Sequence, residues 1–421
     1  MGVEDTVAVG PPASRGSTSL RRALWVFGPG LMVMVADTDA GSVVTAAQSG
    51  ARWGYSLLAL QVLLVPILYL VMELTVRLAT TSGQGYAALV RTRIGKRWGV
   101  VSAATLLVTA TGALVTEFAG IAGVGGLVGV PRAVSVSLAA TLLVLVVLAG
   151  SYRRVEIVGL ALGAFELAFV AAALIAHPPA GEIAHDVFKS QPLDNGGYLS
   201  IVAANVGAVV MPWMVFYQQG AVAHKRLGVR ELRLARLDTA LGAVVTQLVM
   251  ISVLMVTAAG VRGGGRRSLG SVGDISDAMS AYLGRFPAHL VLGLGLGGAA
   301  MVAAIVVSLA SAWAVTEVID VRRSIDDELR QAPLFYGLYV GCIAVGAGVV
   351  LIGHSLVRLA VDVEILNAVL LPLVLALLLV LARRSLPRPQ RLRRGEWVML
   401  IGIQALVTTV SAAWLVLALA R

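Results

Sequence analysis

Two short stretches hold the residues that could do chemistry. VADTDAGSVV (35–44) sets Asp37 and Asp39 two residues apart, with Gly41 and Ser42 following, and NVGAVVMPWM (205–214) carries Met211 directly before Pro212. Both lie inside apolar runs. Oxygen donors suit hard divalent ions, and a thioether suits softer transition metals. Glu117, Glu166, Asp362 and Glu364 are further carboxylates in apolar surroundings. A charge at membrane depth costs at least ~2.5–3.5 kcal/mol, so each calls for a reason.

The elements that must hold these groups are membrane helices. The 421 residues are 58% hydrophobic and 13% charged, with a mean hydropathy of +0.87, too few charges to cover a soluble protein of this size. Apolar runs of about 20 residues, enough to cross a bilayer core, recur eleven times, at roughly 22–50, 54–80, 98–128, 131–150, 154–177, 197–222, 233–261, 286–318, 332–352, 356–383 and 396–420. The expectation is an all-α polytopic protein with the lipid bilayer as partner. Residues 1–20 read as a disordered cytoplasmic N-terminus. The single cysteine, Cys342, excludes a disulfide framework. No Cys/His cluster has zinc spacing, and no cofactor is expected.

The net charge of +10 does not point to nucleic acid, because the basic residues collect in short loops. Arg91, Arg93, Lys96 and Arg97, then Arg153 and Arg154, then Lys225 to Arg236, then Arg383 to Arg394 all fall on one side. The loop after span 5 lies opposite, with Glu182, Asp186 and Asp194. The positive-inside rule then puts the N-terminus in the cytoplasm and the C-terminus outside, in a cell membrane. Arg262, Arg266 and Arg267 dissent from this count.

Spans 1 and 6 are expected to be broken. Span 1 holds GPG (28–30) and DTDAGS (37–42). Pro212 in span 6 lacks an N–H and clashes with the preceding turn. Unwound backbone at this depth is tolerated only where it is buried in protein or lines a cavity. Five spans separate the breaks, so the second set of five would be inverted relative to the first, with a substrate site where the broken helices meet. That divides the chain into a first repeat (21–178), an extracytoplasmic loop (179–196), a second repeat (197–384), a basic cytoplasmic loop (385–395) and an eleventh helix (396–421).

The two broken motifs resemble the NRAMP family of divalent metal ion transporters, in a divergent branch, and the resemblance implies the LeuT-like fold. The family's D-P-G-N stands here as Asp39-Ala40-Gly41-Ser42, and its A-x-x-M-P-H as Ala208-Val209-Val210-Met211-Pro212-Trp213. AAQSGARWGY (46–55), ELTVRL (73–78), RRVE (153–156) and LLP (370–372) also match. The resemblance implies metal ligation by Asp39, the Ala208 carbonyl and the Met211 thioether, with Ser42 in place of the family's asparagine. Counting back from Pro372, Glu364 falls where a glutamine usually faces the metal. Trp213 and Gln218 occupy the family's two histidine positions. Of the D-x-x-E proton route only Glu117 remains, in Glu117-Phe118-Ala119-Gly120.

The resemblance thus implies a secondary transporter importing divalent cations by alternating access, as a monomer. Met211 favours Mn²⁺, with Fe²⁺ next. Glu364 and Trp213 favour the alternative, an uncoupled Mg²⁺ uniporter. Protons are a candidate coupling partner through Glu117, but the five histidines lie at span ends or in loops. Asp37, Tyr217 and Gln218 are candidates to line the pathway. Glu166 and Asp362 are expected to face the bundle as structural groups. Glu73, Asp238 and Glu317 are expected to be satisfied near cytoplasmic ends. An intramembrane enzyme lacks parts, since neither H-E-x-x-H nor G-x-S-x-G occurs. A sodium-coupled amino-acid transporter of the same fold would need no fixed carboxylate at the break.

Overall fold

The computed structural model describes residues 25–148, 150–264, 269–321, 325–353 and 356–419. The N-terminal stretch 1–20, Arg266 and Arg267 lie outside them. Nine single helices among the described residues are long and apolar enough to cross a membrane, and Pro29–Asp37 with Ala40–Trp53 forms a tenth span bent by 49°. The shorter apolar helix Arg132–Leu148 stands at the fourth expected position. A helix therefore stands at each of the eleven expected positions, ten of them as spans of full length and the fourth as a shorter apolar helix.

Both breaks fall where the residue types require them. Span 1 stops being helical at Thr38 and restarts at Ala40. Asp39 is the N-cap of the second half, its Oδ1 accepting the Ser42 N–H at 2.7 Å, as a short carboxylate does at a helix start. Span 6 runs Gly196–Val209, leaves the helix at Val210 and Met211, and resumes as Pro212–His224. Proline stands at the first helical position, where its missing N–H costs nothing. Among the described residues, span 1 alone is bent by more than 40° at its break.

The second half of span 1 packs on spans 7 and 10 and on the first half of span 6. The second half of span 6 packs on spans 2 and 8. The two breaks are thus enclosed by other helices. Span 11, Arg394–Leu419, lies outside against span 10, and Val398, Ile401 and Val416 on it are exposed, as a lipid-facing surface should be.

Three features depart from the sequence reading. The loop 179–196 contains a helix, Ala180–Phe188, and a further helix, Val272–Leu283, precedes span 8. Asp362 is exposed, not bundle-facing. Residues two positions apart on a helix point about 200° away from each other, so the turn that buries Glu364 points Asp362 outward. Arg262 explains its own dissent from the charge count: it pairs with Glu182 and Asp186 of the loop helix and lies over the Tyr55 ring.

Candidate metal site at the broken helices

Ala208 shows how the sequence makes a free donor. Its carbonyl would accept from the residue four positions on, which is Pro212 and has no N–H. The carbonyl instead accepts the Ser42 hydroxyl at 3.1 Å, which ties the two breaks together. Glu364 enters from span 10, its Oε2 held by the Asn367 amide at 2.9 Å. Its Oε1 reaches Gly41 so closely that a Cβ there would collide with it. The missing side chain at Gly41 is what admits the carboxylate.

Glu117 comes from span 3 and accepts the Ala40 N–H at 3.1 Å. Two carboxylates, Asp39 and Glu117, therefore sit at the N-terminus of one helix, the favourable end of its dipole. The second carboxylate position of the D-x-x-E pattern is closed by packing, because a Cβ on Gly120 would lie 2.6 Å from the Ala40 Cβ.

Asp37, Asp39, Ser42, Glu117, Glu166, Ala208, Met211 and Glu364 are all buried. Asp37 ends the first half of span 1, where the helix dipole disfavours a negative charge, and it lies within electrostatic reach of Asp39, Glu364 and Glu166. Asp37 Oδ1, Asp39 Oδ2, Glu166 Oε1 and Glu364 Oε1 have no hydrogen-bond donor. Buried polar atoms are normally paired, so four orphaned carboxylate oxygens mark a place that lacks positive charge. Among the described residues no three His, Cys, Asp or Glu side chains are placed to hold an ion by themselves. A site here needs Ser42 and the Ala208 carbonyl beside its carboxylates.

The other expected residues fall differently. Met211 stands at the span 6 break, but its sulfur accepts the Trp213 indole N–H at 3.2 Å. Gln218 is fully engaged, accepting from Thr75 at 2.8 Å and donating to Thr239 at 2.8 Å. The Tyr217 hydroxyl meets that of Tyr152 at 3.3 Å, and its ring lies 5.7 Å from that of Trp313. These two side chains brace helices, and neither contacts the break through a polar atom.

Glu166 faces the bundle as a structural group, as expected. Span 5 tightens to a 3₁₀ turn over Ala164–Glu166, and Glu166 Oε2 accepts the hydroxyl of Thr38, the residue between the two halves of span 1. Asn367 and the network Gln61–Asn205–Ser49, with bonds of 2.6 and 2.8 Å, were not expected. Nothing in the sequence distinguishes them from ordinary polar packing.

Polar cavities lie at both ends of the helix bundle. At the basic end a cavity of about 120 Å³ is lined by Gly85, Gly220, His224 and Glu317. At the opposite end one of about 360 Å³ is lined by Gly50, Trp53, Asp186 and Arg262.

An eleven-span bundle with two helices broken at a shared, buried, carboxylate-rich centre is a membrane transporter of the LeuT-like fold, not an enzyme. More particularly, the sequence matches the Natural resistance-associated macrophage protein-like family over residues 30–418. The chain belongs to that family. It is 28% identical over 322 residues to the divalent metal cation transporter MntH of Brucella suis biovar 1, covering 73% of this chain and 70% of the relative. It is 30% identical over 310 residues to MntH of Ralstonia nicotianae, covering 70% and 68%. The fold is that of the Eremococcus coleocola manganese transporter solved with an aromatic bis-isothiourea substituted compound, at TM-score 0.72 and 17% identity over 96% of this chain and 88% of that one. A nucleobase-cation-symport-1 family transporter in a closed conformation shares it at TM-score 0.62 and 12% identity, over 93% and 91%.

Proposed function

We propose that this chain imports divalent metal cations across the cell membrane by alternating access, binding one ion at the junction of the broken spans. The observation that carries the reading is the pair of orphaned oxygens, Asp39 Oδ2 and Glu364 Oε1, buried beside the Ser42 hydroxyl and the proline-freed Ala208 carbonyl. Two carboxylates neutralise a divalent charge, so the ion can leave water without a large residual cost. An amino acid would bring its own carboxylate to a centre already rich in them, which disfavours the sodium-coupled alternative. The divalent-cation transport in the names of the MntH relatives supports the same reading.

Mn²⁺ is the favoured ion, with Fe²⁺ next, because oxygen donors combined with one thioether suit transition metals. A specific observation favours the Mg²⁺ reading as well: the Met211 sulfur is already engaged by Trp213, which leaves an oxygen set suited to a hard ion. The cavities at His224 and at Arg262 are the two mouths, the basic end facing the cytoplasm by the positive-inside rule. A monomer suffices, since every proposed ligand comes from one chain.

Uptake into proteoliposomes tests this directly. Saturable Mn²⁺ or Mg²⁺ uptake that disappears in Asp39→Ala is expected, with an interior pH dye reporting any accompanying protons. Equal flux in both proteins would reject the site.

A further inference from the structure

We infer that Trp213 sets the ion preference of the site by occupying the sulfur of Met211. This inference rests on the proposed metal site and adds to it a residue that acts through another. The indole Nε1–H lies 3.2 Å from the Met211 sulfur, short for a contact of this kind, and both side chains have no solvent exposure. A buried indole N–H needs an acceptor. Here that acceptor is the thioether of Met211, the N-cap two residues earlier. The same sulfur also receives the Met214 N–H, a donor that has the Met211 carbonyl at 3.1 Å as its other acceptor.

The geometry sets two demands on one sulfur. A soft cation that recruits the thioether draws electron density from the sulfur that the N–H uses, and the N–H···S contact is weakened in a dry environment. A hard cation has no use for sulfur and leaves the N–H···S contact intact. Trp213 therefore penalises soft ions and spares hard ones, without touching the ion. It is a positioning residue, and the soft ligand beside it is muted. A methionine at the break consequently does not by itself identify a transition-metal site.

The test is a double-mutant cycle read as an ion ratio. Competition by Cd²⁺, a soft probe, and by Mg²⁺, a hard one, is measured against Mn²⁺ uptake in proteoliposomes. Wild type, Trp213→Phe, Met211→Leu and the double variant are compared. Trp213→Phe keeps an aromatic ring but deletes the N–H together with part of the indole's volume, and the Met211→Leu background controls for the volume change. Trp213→Phe is expected to raise the apparent affinity for Cd²⁺ relative to Mg²⁺ by roughly 5- to 10-fold, the size of one buried hydrogen bond. In the Met211→Leu background the same change should leave the ratio within about 2-fold. An equal shift in both backgrounds, or none in either, would overturn the inference.

Met211→Leu alone supplies a second reading if Trp213→Phe does not insert. A muted sulfur predicts less than about 3-fold change in the ratio, and a loss beyond 10-fold would overturn the inference. No saturable uptake of any divalent ion by the wild type would instead overturn the metal site on which the inference stands.

Discussion

The carboxylates at the broken helices and most of those at the basic end are buried, and they are oppositely provided for. At the basic end each meets donors or cations. Asp238 accepts the Gly28, Gly30 and Leu31 N–H groups at 2.6–3.2 Å, capping the start of span 1. Lys225 pairs with Glu156 at 2.7 Å and donates to the Trp25 and Phe27 carbonyls. Glu73 holds Arg77 at 2.8 Å and Arg236 at 2.6 Å, and Arg77 reaches Glu396 at 2.8 Å. At the break, four carboxylate oxygens have no donor. One set closes the structure. The other leaves carboxylate oxygens unpaired, and the proposed ion site rests on that difference.

Neutralising each set in turn should separate transport from stability. The largest effect belongs to Asp39→Ala, which should abolish saturable uptake while the protein remains monodisperse in detergent. Glu364→Gln, which keeps shape and removes one charge, should weaken apparent affinity by roughly 10- to 100-fold, in the range seen when support of a metal site is lost. Unchanged affinity in Glu364→Gln would remove span 10 from the site.

Stability should move the opposite way. Lys225→Met leaves Glu156 buried without its partner and should destabilise by about 3 kcal/mol, read as a fall in the midpoint of thermal unfolding. Adding Glu156→Gln should recover most of that loss. At the break, Glu166→Gln should raise the midpoint in metal-free buffer, because it removes a charge with one unsatisfied oxygen and keeps an acceptor for Thr38. If Glu166→Gln and Lys225→Met shifted the midpoint in the same direction, the distinction between the two regions would fail.

Much of the central site was legible because it depends on local rules. Pro212 frees the carbonyl four residues earlier, Asp39 caps a helix that must restart, and the count back from Pro372 finds Glu364. Asp362 should have been read outward by the same periodicity once Glu364 was placed inward. The remainder depends on close approach and side-chain direction, which hydropathy does not record. Gly120 excludes a second carboxylate only because Ala40 presses on it. Glu166 reaches Thr38 only because span 5 tightens locally. Trp213 turns its N–H to Met211, a contact that the two residue types taken separately do not reveal.

The smallest expected effect lies at the end opposite the basic loops, where Asp186 joins the loop helix to the turn between spans 1 and 2 and to span 7. Burial works against its charge, but the Tyr55 N–H at 3.0 Å, Lys189 at 3.0 Å and Arg262 outweigh it and hold its carboxyl below the ordinary aspartate range. A carboxylate whose folded value is depressed stabilises the fold above its unfolded value of ~3.9, and that contribution is lost as pH falls through the folded value. At pH 7 it is fully present. Asp186→Asn should therefore lower the unfolding midpoint by about 1–2 °C at pH 7, since Arg262 and Lys189 are partly exposed and screened. The gap between variant and wild type should close toward pH 3. A gap that stayed constant with pH would mean that the hydrogen bond to Tyr55, not charge, is what Asp186 contributes.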